Sequence, residues 1–200
     1  MLSEKKEKFE FFSKRVGIFF SKFKLHPNFY TLISLVFGLF CFIFLVKNNL
    51  SLALIFFVLG ALCDFIDGSV ARISLRVSKL GAFLDTICDR YFEGMVLFGF
   101  LFLPLPKIIF NAKVWVFLSL FGSLMTTYSK SAGKEKEILS KEIKKGLLER
   151  PERMILIFLM MISGLFNLNW LIYLLILFAV LSNFTALQRI ILILKSSKTL

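Results

Sequence analysis

The sequence predicts an all-α integral membrane protein with six transmembrane helices and an N-terminal interfacial amphipathic helix. Composition is the first observation: 58% of the 200 residues are hydrophobic and 26 are Phe, and a mean hydropathy of +0.80 lies far from that of a soluble domain. The second is a series of apolar windows around residues 28–46, 51–71, 83–104, 113–130, 152–167 and 170–192, against roughly 20 residues for one bilayer crossing. The third is the distribution of cations. Lys and Arg number seven in residues 1–25, four in 72–90, eight in 130–153 and three from Arg189 onward, while the alternate loops hold only Lys47, Lys107 and Lys113. A split of 22 against 3 orients the chain with an even number of crossings, both termini cytoplasmic, in the cell (plasma) membrane.

Residues 4–24 mix Lys with Glu, and Phe9, Phe12, Val16, Phe19, Phe20 and Phe23 recur at three- and four-residue spacing. That pattern reads as an amphipathic helix lying in the interface rather than a cleavable signal, with a plain basic tail as the simpler alternative. His26 stands alone in "HPN" before the first span and reads as a turn or headgroup contact. Cys41, Cys63 and Cys88 sit in apolar surroundings with no CxxC spacing, so they read as packing residues rather than a disulfide framework or thiolate metal site. The most polar stretch, "SKSAGKEKEILSKEIKKGLLERPER" at 129–153, reads as a cytosolic helix-turn segment between two spans. The chain thus reads as one membrane domain over 1–200, with 1–25 interfacial and 26–195 forming a six-helix core. Its net charge of +12, gathered on one membrane face, points to the lipid bilayer and anionic metabolites as partners, and away from nucleic acid.

The chemistry concentrates in "ALCDFIDGSVARISLRVSKLGAFLDTICDR", residues 61–90. The apolar run from Ser51 to Cys63 is short of a full crossing, so the second helix is expected to continue through Asp64 to about Arg72. Asp64 and Asp67 then share a helix face with Gly68, Ala71 and Arg72, and Gly81, Asp85 and Asp89 share a face of the next helix. Two facing helices can converge four carboxylates on one point. Four like charges near low dielectric call for cations, and hard oxygen ligands in that number suit Mg²⁺ or Mn²⁺, in a binuclear site. The small Gly68, Ala71 and Gly81 leave these faces bare, which admits a phosphate-bearing ligand to the backbone with Arg72 beside it. Close helix packing is the other use of such residues.

Written out, the stretch is Asp64-x-x-Asp67-Gly68-x-x-Ala71-Arg72, eight residues, then Gly81-x-x-x-Asp85-x-x-x-Asp89. It resembles the complete signature of the CDP-alcohol phosphotransferase family. The resemblance implies a six-span fold, a homodimer, a cytosolic active site and transfer of a lipid-bearing phosphate from a CDP-lipid to an alcohol with loss of CMP. By it, Asp64, Asp67, Asp85 and Asp89 hold two Mg²⁺, with Mn²⁺ as an alternative. Asp67, Gly68, Ala71, Arg72, Gly81 and Asp85 bind CDP, and Asp89 is also the catalytic base.

Three further segments narrow the acceptor. "GLLERPERMIL" at 146–156, "TTYSKSAGKE" at 126–135 and "TALQR" at 185–189 resemble the phosphatidylinositol phosphate synthase and archaetidylinositol phosphate synthase branch. That resemblance assigns Lys130, Arg150, Arg153 and Arg189 to the acceptor phosphate, with Lys134 in the place of a missing arginine. Such a cluster suits a dianionic phosphate better than zwitterionic serine. The expected partners are therefore a CDP-lipid, CDP-archaeol or CDP-diacylglycerol, and a phosphorylated polyol, inositol 1-phosphate. A glycerol 3-phosphate acceptor is the alternative within the family. A metal or proton transporter is the alternative from another class, and a catalytically dead lipid scaffold is the third.

Overall fold

The structure, a computed structural model, describes residues 2–75, 77–138 and 146–197. It is all helical among these residues: α1 (Leu2–Ser21), α2 (Pro27–Val46), α3 (Leu50–Ile73), α4 (Lys79–Gly99) with a 3₁₀ turn over Phe100–Phe102, α5 (Ala112–Glu135), α6 (Arg150–Phe166) and α7 (Leu168–Ser197). Three of them, α2, α3 and α7, are long and apolar enough to cross a membrane. Each apolar window of the sequence is centred on one helix. The third ends early, because the chain leaves α4 at Gly99 and makes the 3₁₀ turn before Pro104 and Pro106. Residues 139–145 of the polar segment lie outside the described residues.

The helix boundaries follow local chemistry. His26 caps α2, its Nδ1 accepting from the Asn28 amide at 3.3 Å, and Pro27 occupies the first turn, where no backbone N–H is needed. Asn49, Ser78 and Asn111 cap α3, α4 and α5 through their side-chain oxygens. Asn48, Leu75 and Glu137, just beyond α2, α3 and α5, take left-handed φ values of 57°, 54° and 57°, the conformation that ends a helix by turning its last carbonyls toward following amides.

Helix α2 packs against both α3 and α4, α5 pairs with α7, and α6 lies on α7 and reaches α3. The central layer is apolar: Leu45, Phe57, Phe92, Leu97, Ile157, Met160, Leu175 and Phe178 are buried. Two glycines permit the approach of α2 and α3 to α4. A Cβ at Gly60 would lie 2.2 Å from the Phe92 ring, and one at Gly38 2.7 Å from it. Small residues thus trade side-chain volume for close helix contact around one large aromatic. Many long apolar side chains, among them Leu32, Val36, Phe40, Phe117 and Leu177, face outward, as a bilayer-facing surface requires. The free cysteines Cys41 and Cys88 are buried packing residues, and Cys63 is partly exposed.

Candidate active site

Helix α3 runs unbroken past the apolar run to Ile73, so Asp64, Asp67 and Arg72 are carried on a rigid element at its end. Helix α4 starts only at Lys79, placing Gly81, Asp85 and Asp89 in its first three turns. The two ends face one another. One carboxylate oxygen each from Asp64, Asp67 and Asp85 lies within 4.8 Å of the others. Three hard oxygen donors this close repel one another unless a cation joins them, so the donor set fits a divalent ion such as Mg²⁺ or Mn²⁺. Thr31 of α2 adds a support the sequence did not reveal: its hydroxyl donates to Asp67 Oδ2 at 2.6 Å. Asp67 is 5% exposed, and that bond fixes which oxygen it turns toward the cluster.

Asp89 is arranged differently. It lies outside this three-carboxylate group and instead pairs with Arg150, whose Nη2 also donates to Asp64 Oδ1 at 2.8 Å. A guanidinium of the chain therefore bridges one aspartate of each helix. Arg150 reaches them because α6 begins there. Pro151 sets the first helical turn, and Arg150 and Arg153, three apart, project from one face.

A cavity of about 210 Å³ opens beside the aspartates. All six residues assigned to CDP by resemblance, Asp67, Gly68, Ala71, Arg72, Gly81 and Asp85, line it. The space beside Gly68 is open: a Cβ there would meet only the Arg72 guanidinium, at 3.9 Å. The small residues of this face therefore border a cavity at Gly68 rather than a helix contact.

A second cavity, about 470 Å³, adjoins the first, with Ala82 lining both. Lys130, Arg150, Arg153 and Arg189 all line it, together with Arg90 and Lys134. Glu149 is the carboxylate among the lining residues, and it accepts from Arg189 Nη2 at 2.5 Å. Six cationic side chains and one anionic one line the chamber, with Arg150 paired to Asp64 and Asp89, and Arg90 and Arg153 to Glu93, from outside the lining.

The cations do not play equal parts. Arg153 is 2% exposed and its donors are committed: Nε and Nη2 to Glu93 at 2.6 and 3.1 Å, Nη1 to Thr126 Oγ1 at 3.1 Å and the Leu148 carbonyl at 3.4 Å. It frames the chamber more than it presents hydrogens to it. Arg90, Arg150 and Arg189 each keep a buried Nε without a partner among the described atoms, so each retains a donor for an anion. Sequence reasoning missed Glu93 and Arg90. Glu93 is 1% exposed, accepts from Arg153 and from Ser123 at 2.6 Å, and is ion-paired with Arg90 Nη1 at 3.1 Å. One carboxylate thus holds two arginines at the chamber wall. A lone Glu inside the apolar run "YFEGMVLFGF" was the available signal, since such a charge demands a buried partner.

Residues 24–193 match the family model described as CDP-alcohol phosphatidyltransferase. An archaetidylinositol phosphate synthase of Pyrococcus horikoshii is 34% identical over 193 residues, 95% of either chain. One from Aeropyrum pernix is 32% identical over 177 residues, 88% of this chain and 87% of the relative. Among solved structures, phosphatidylinositol phosphate synthase of Mycobacterium tuberculosis with CDP-DAG bound is similar with a TM-score of 0.75 and 23% identity, over 90% of this chain and 92% of that one. The same protein in complex with manganese and citrate gives 0.72 and 24%, over 91% and 88%. At that identity the likeness establishes a shared fold.

Proposed function

The chain belongs to the CDP-alcohol phosphatidyltransferase family, and we propose that it transfers the lipid-bearing phosphate of a CDP-lipid to inositol 1-phosphate, releasing CMP. The observation that carries the choice of acceptor is the second cavity, lined by six cationic side chains, of which Arg90, Arg150 and Arg189 each keep a buried Nε without a partner among the described atoms, next to the aspartate cluster. A phosphate accepts from such donors, whereas free inositol offers them no anion and zwitterionic serine only a carboxylate. The names of the archaeal relatives, archaetidylinositol phosphate synthases at 34% and 32% identity, support the same choice, with CDP-archaeol or CDP-diacylglycerol as donor.

The reaction is a single displacement. An acceptor hydroxyl attacks the phosphorus bearing the lipid alcohol, the bond from that phosphorus to the CMP oxygen breaks, and the hydroxyl proton passes to a base. The first cavity, with Arg72 and the bare backbone at Gly68, binds the donor's CDP moiety. The second cavity holds the acceptor by its phosphate through Arg189, Arg150, Lys130 and Arg90, with Arg153 as frame. Because the cavities share Ala82, an acceptor held in one presents its hydroxyl to a donor held in the other, which is catalysis by positioning. Asp89, on the helix that borders both cavities, takes the proton. A pair of divalent ions, Mg²⁺ with Mn²⁺ as a substitute, held by Asp64, Asp67, Asp85 and Asp89, would supply positive charge to the pyrophosphate as negative charge develops on the departing CMP.

The chain acts as one membrane domain over 1–200, with six crossings by α2 to α7, α1 in the interface, and both termini and the site on the cytoplasmic side of the plasma membrane. The uneven division of cations between alternate loops supports that orientation. Homodimerisation follows the family resemblance. The test is CMP release by the purified protein with Mg²⁺ and a CDP-lipid, with inositol 1-phosphate, glycerol 3-phosphate, inositol and serine at matched concentration. Turnover confined to inositol 1-phosphate is the expected outcome. Preference for glycerol 3-phosphate overturns the acceptor and keeps the chemistry, and no CMP release with any of them overturns the reaction.

A further inference from the structure

Helix α1 does more than lie against the bundle. Its Ser13 is buried, 6% exposed, and Ser13 Oγ stands 2.9 Å from Ser69 Oγ of α3 and accepts from Arg72 Nη2 at 2.8 Å. Proton bookkeeping fixes the direction of this chain. Ser69 donates its one hydroxyl hydrogen to the Phe65 carbonyl at 2.9 Å, so Ser13 donates to Ser69 and has only lone pairs left for Arg72. The sequence Arg72 to Ser13 to Ser69 to a main-chain carbonyl is a run of aligned dipoles ending on a guanidinium, each bond strengthening the next.

Gly17 makes this contact possible. It lies one turn from Ser13 on the same face of α1, and a Cβ there would fall 2.6 Å from the Ser69 carbonyl oxygen and 2.7 Å from Ile73. The helices therefore meet at the distance a hydroxyl bridge needs. A small apolar cluster of Tyr30, Ile66 and Val70 with Val16 and Phe20 of α1 completes the seam. The opposite side of α1 leaves Phe11, Ile18 and Phe19 more than half exposed, the surface of a helix bedded in lipid.

We propose that Ser13 is a positioning residue of the donor site: it holds the Arg72 guanidinium at the wall of the cavity shared by Gly68, Gly81 and Asp85, so that α1 sets the affinity for the CDP-lipid. Apart from this bond and a longer one from Nη2 to Ser69 Oγ at 3.5 Å, Arg72 is a long exposed side chain with many rotamers, and holding one of them lowers the entropy lost when the donor's phosphate binds. The inference rests on the reading that this cavity takes the donor.

The test is a double-mutant cycle on the full chain in lipid vesicles, with Ser13→Ala, Arg72→Ala and the pair, reading KM for the CDP-lipid and for inositol 1-phosphate. Loss of one hydrogen bond to a guanidinium is expected to raise the CDP-lipid KM in Ser13→Ala roughly three- to tenfold, with KM for inositol 1-phosphate unchanged. On the Arg72→Ala background the same substitution is expected to add nothing. Gly17→Ala, which pushes α1 away from Ser69, is expected to reproduce the donor-specific defect. Equal effects on both substrates, or a Ser13→Ala effect that persists in full without Arg72, overturn the inference. Arg72→Ala with an unaltered CDP-lipid KM overturns the donor-cavity reading itself, and the inference with it.

Discussion

Replacing Glu93 by Gln puts the buried ion network to a quantitative test. The Glu93 carboxylate accepts three hydrogen bonds, from Arg153 Nε at 2.6 Å, Ser123 at 2.6 Å and Arg153 Nη2 at 3.1 Å, and is ion-paired with Arg90 Nη1 at 3.1 Å. Gln keeps one oxygen for the first two. It turns an NH₂ group toward the other two, which are donors, and it removes the carboxylate charge paired with Arg153. Breaking a buried pair from one side costs about 3–5 kcal/mol, and the retained oxygen puts Glu93→Gln near the low end, about 3 kcal/mol. On the slope for a domain of about 150–250 residues this is a fall in melting temperature of roughly 6–12 °C, measured by thermal unfolding of the purified protein. A companion variant separates the pair from the packing. Glu93→Leu combined with Arg153→Met is expected to recover part of the loss of Glu93→Leu alone, because it removes one of the two arginines that Glu93→Leu leaves without their carboxylate. Glu93→Gln melting within about 0.5 kcal/mol of the parent, the range of a substitution that touches no special feature, would refute the network.

Other substitutions probe the site directly. Asp85→Asn is expected to abolish CMP release even at saturating Mg²⁺, since it removes one of three clustered carboxylates; near-normal turnover contradicts its role as a ligand. Thr31→Val deletes the 2.6 Å bond to Asp67 and is expected to raise the Mg²⁺ concentration for half-maximal activity about tenfold, the lower end of effects seen when a ligand loses its orienting partner. Unchanged metal dependence would remove Thr31 from the site. Arg189→Lys keeps the charge but loses the fork that joins Glu149 and the Thr126 carbonyl, so KM for inositol 1-phosphate is expected to rise about tenfold with KM for the CDP-lipid unmoved. Equal rises would place Arg189 in the scaffold.

Helices and site were not equally legible in the sequence. Apolar windows located every helix after α1, because each is a local run long enough to dominate its own periodicity. The aspartate cluster was legible for the same reason: spacings of three and four along two short segments fix which side chains share a face. The extension of α3 to Ile73 followed from the shortness of the apolar run before Asp64. What escaped were contacts between distant segments. Thr31 and Asp67 are 36 residues apart, Glu93 and Arg153 are 60 apart, and Ser13 and Ser69 are 56 apart, and no periodicity links them. Arg153 shows the cost: the "ERPER" segment marked it as an anion ligand, while its position on the inner side of α6 commits its donors to Glu93, Thr126 and Leu148. Arg150 likewise was assigned to the acceptor phosphate, and the fold brings it to Asp64 and Asp89 as well.

The central claim is that a lipid-bearing phosphate moves from a CDP-lipid to an acceptor that already carries a phosphate. The most direct measurement is mass spectrometry of the lipid product formed by the purified protein with Mg²⁺, a CDP-lipid and an equal mixture of inositol and inositol 1-phosphate. The account expects a single new lipid with two phosphorus atoms, one a phosphodiester to inositol and one an intact phosphomonoester, formed mole for mole with CMP. A lipid with one phosphorus atom, formed from free inositol, would contradict it and strip the basic chamber of its assigned role.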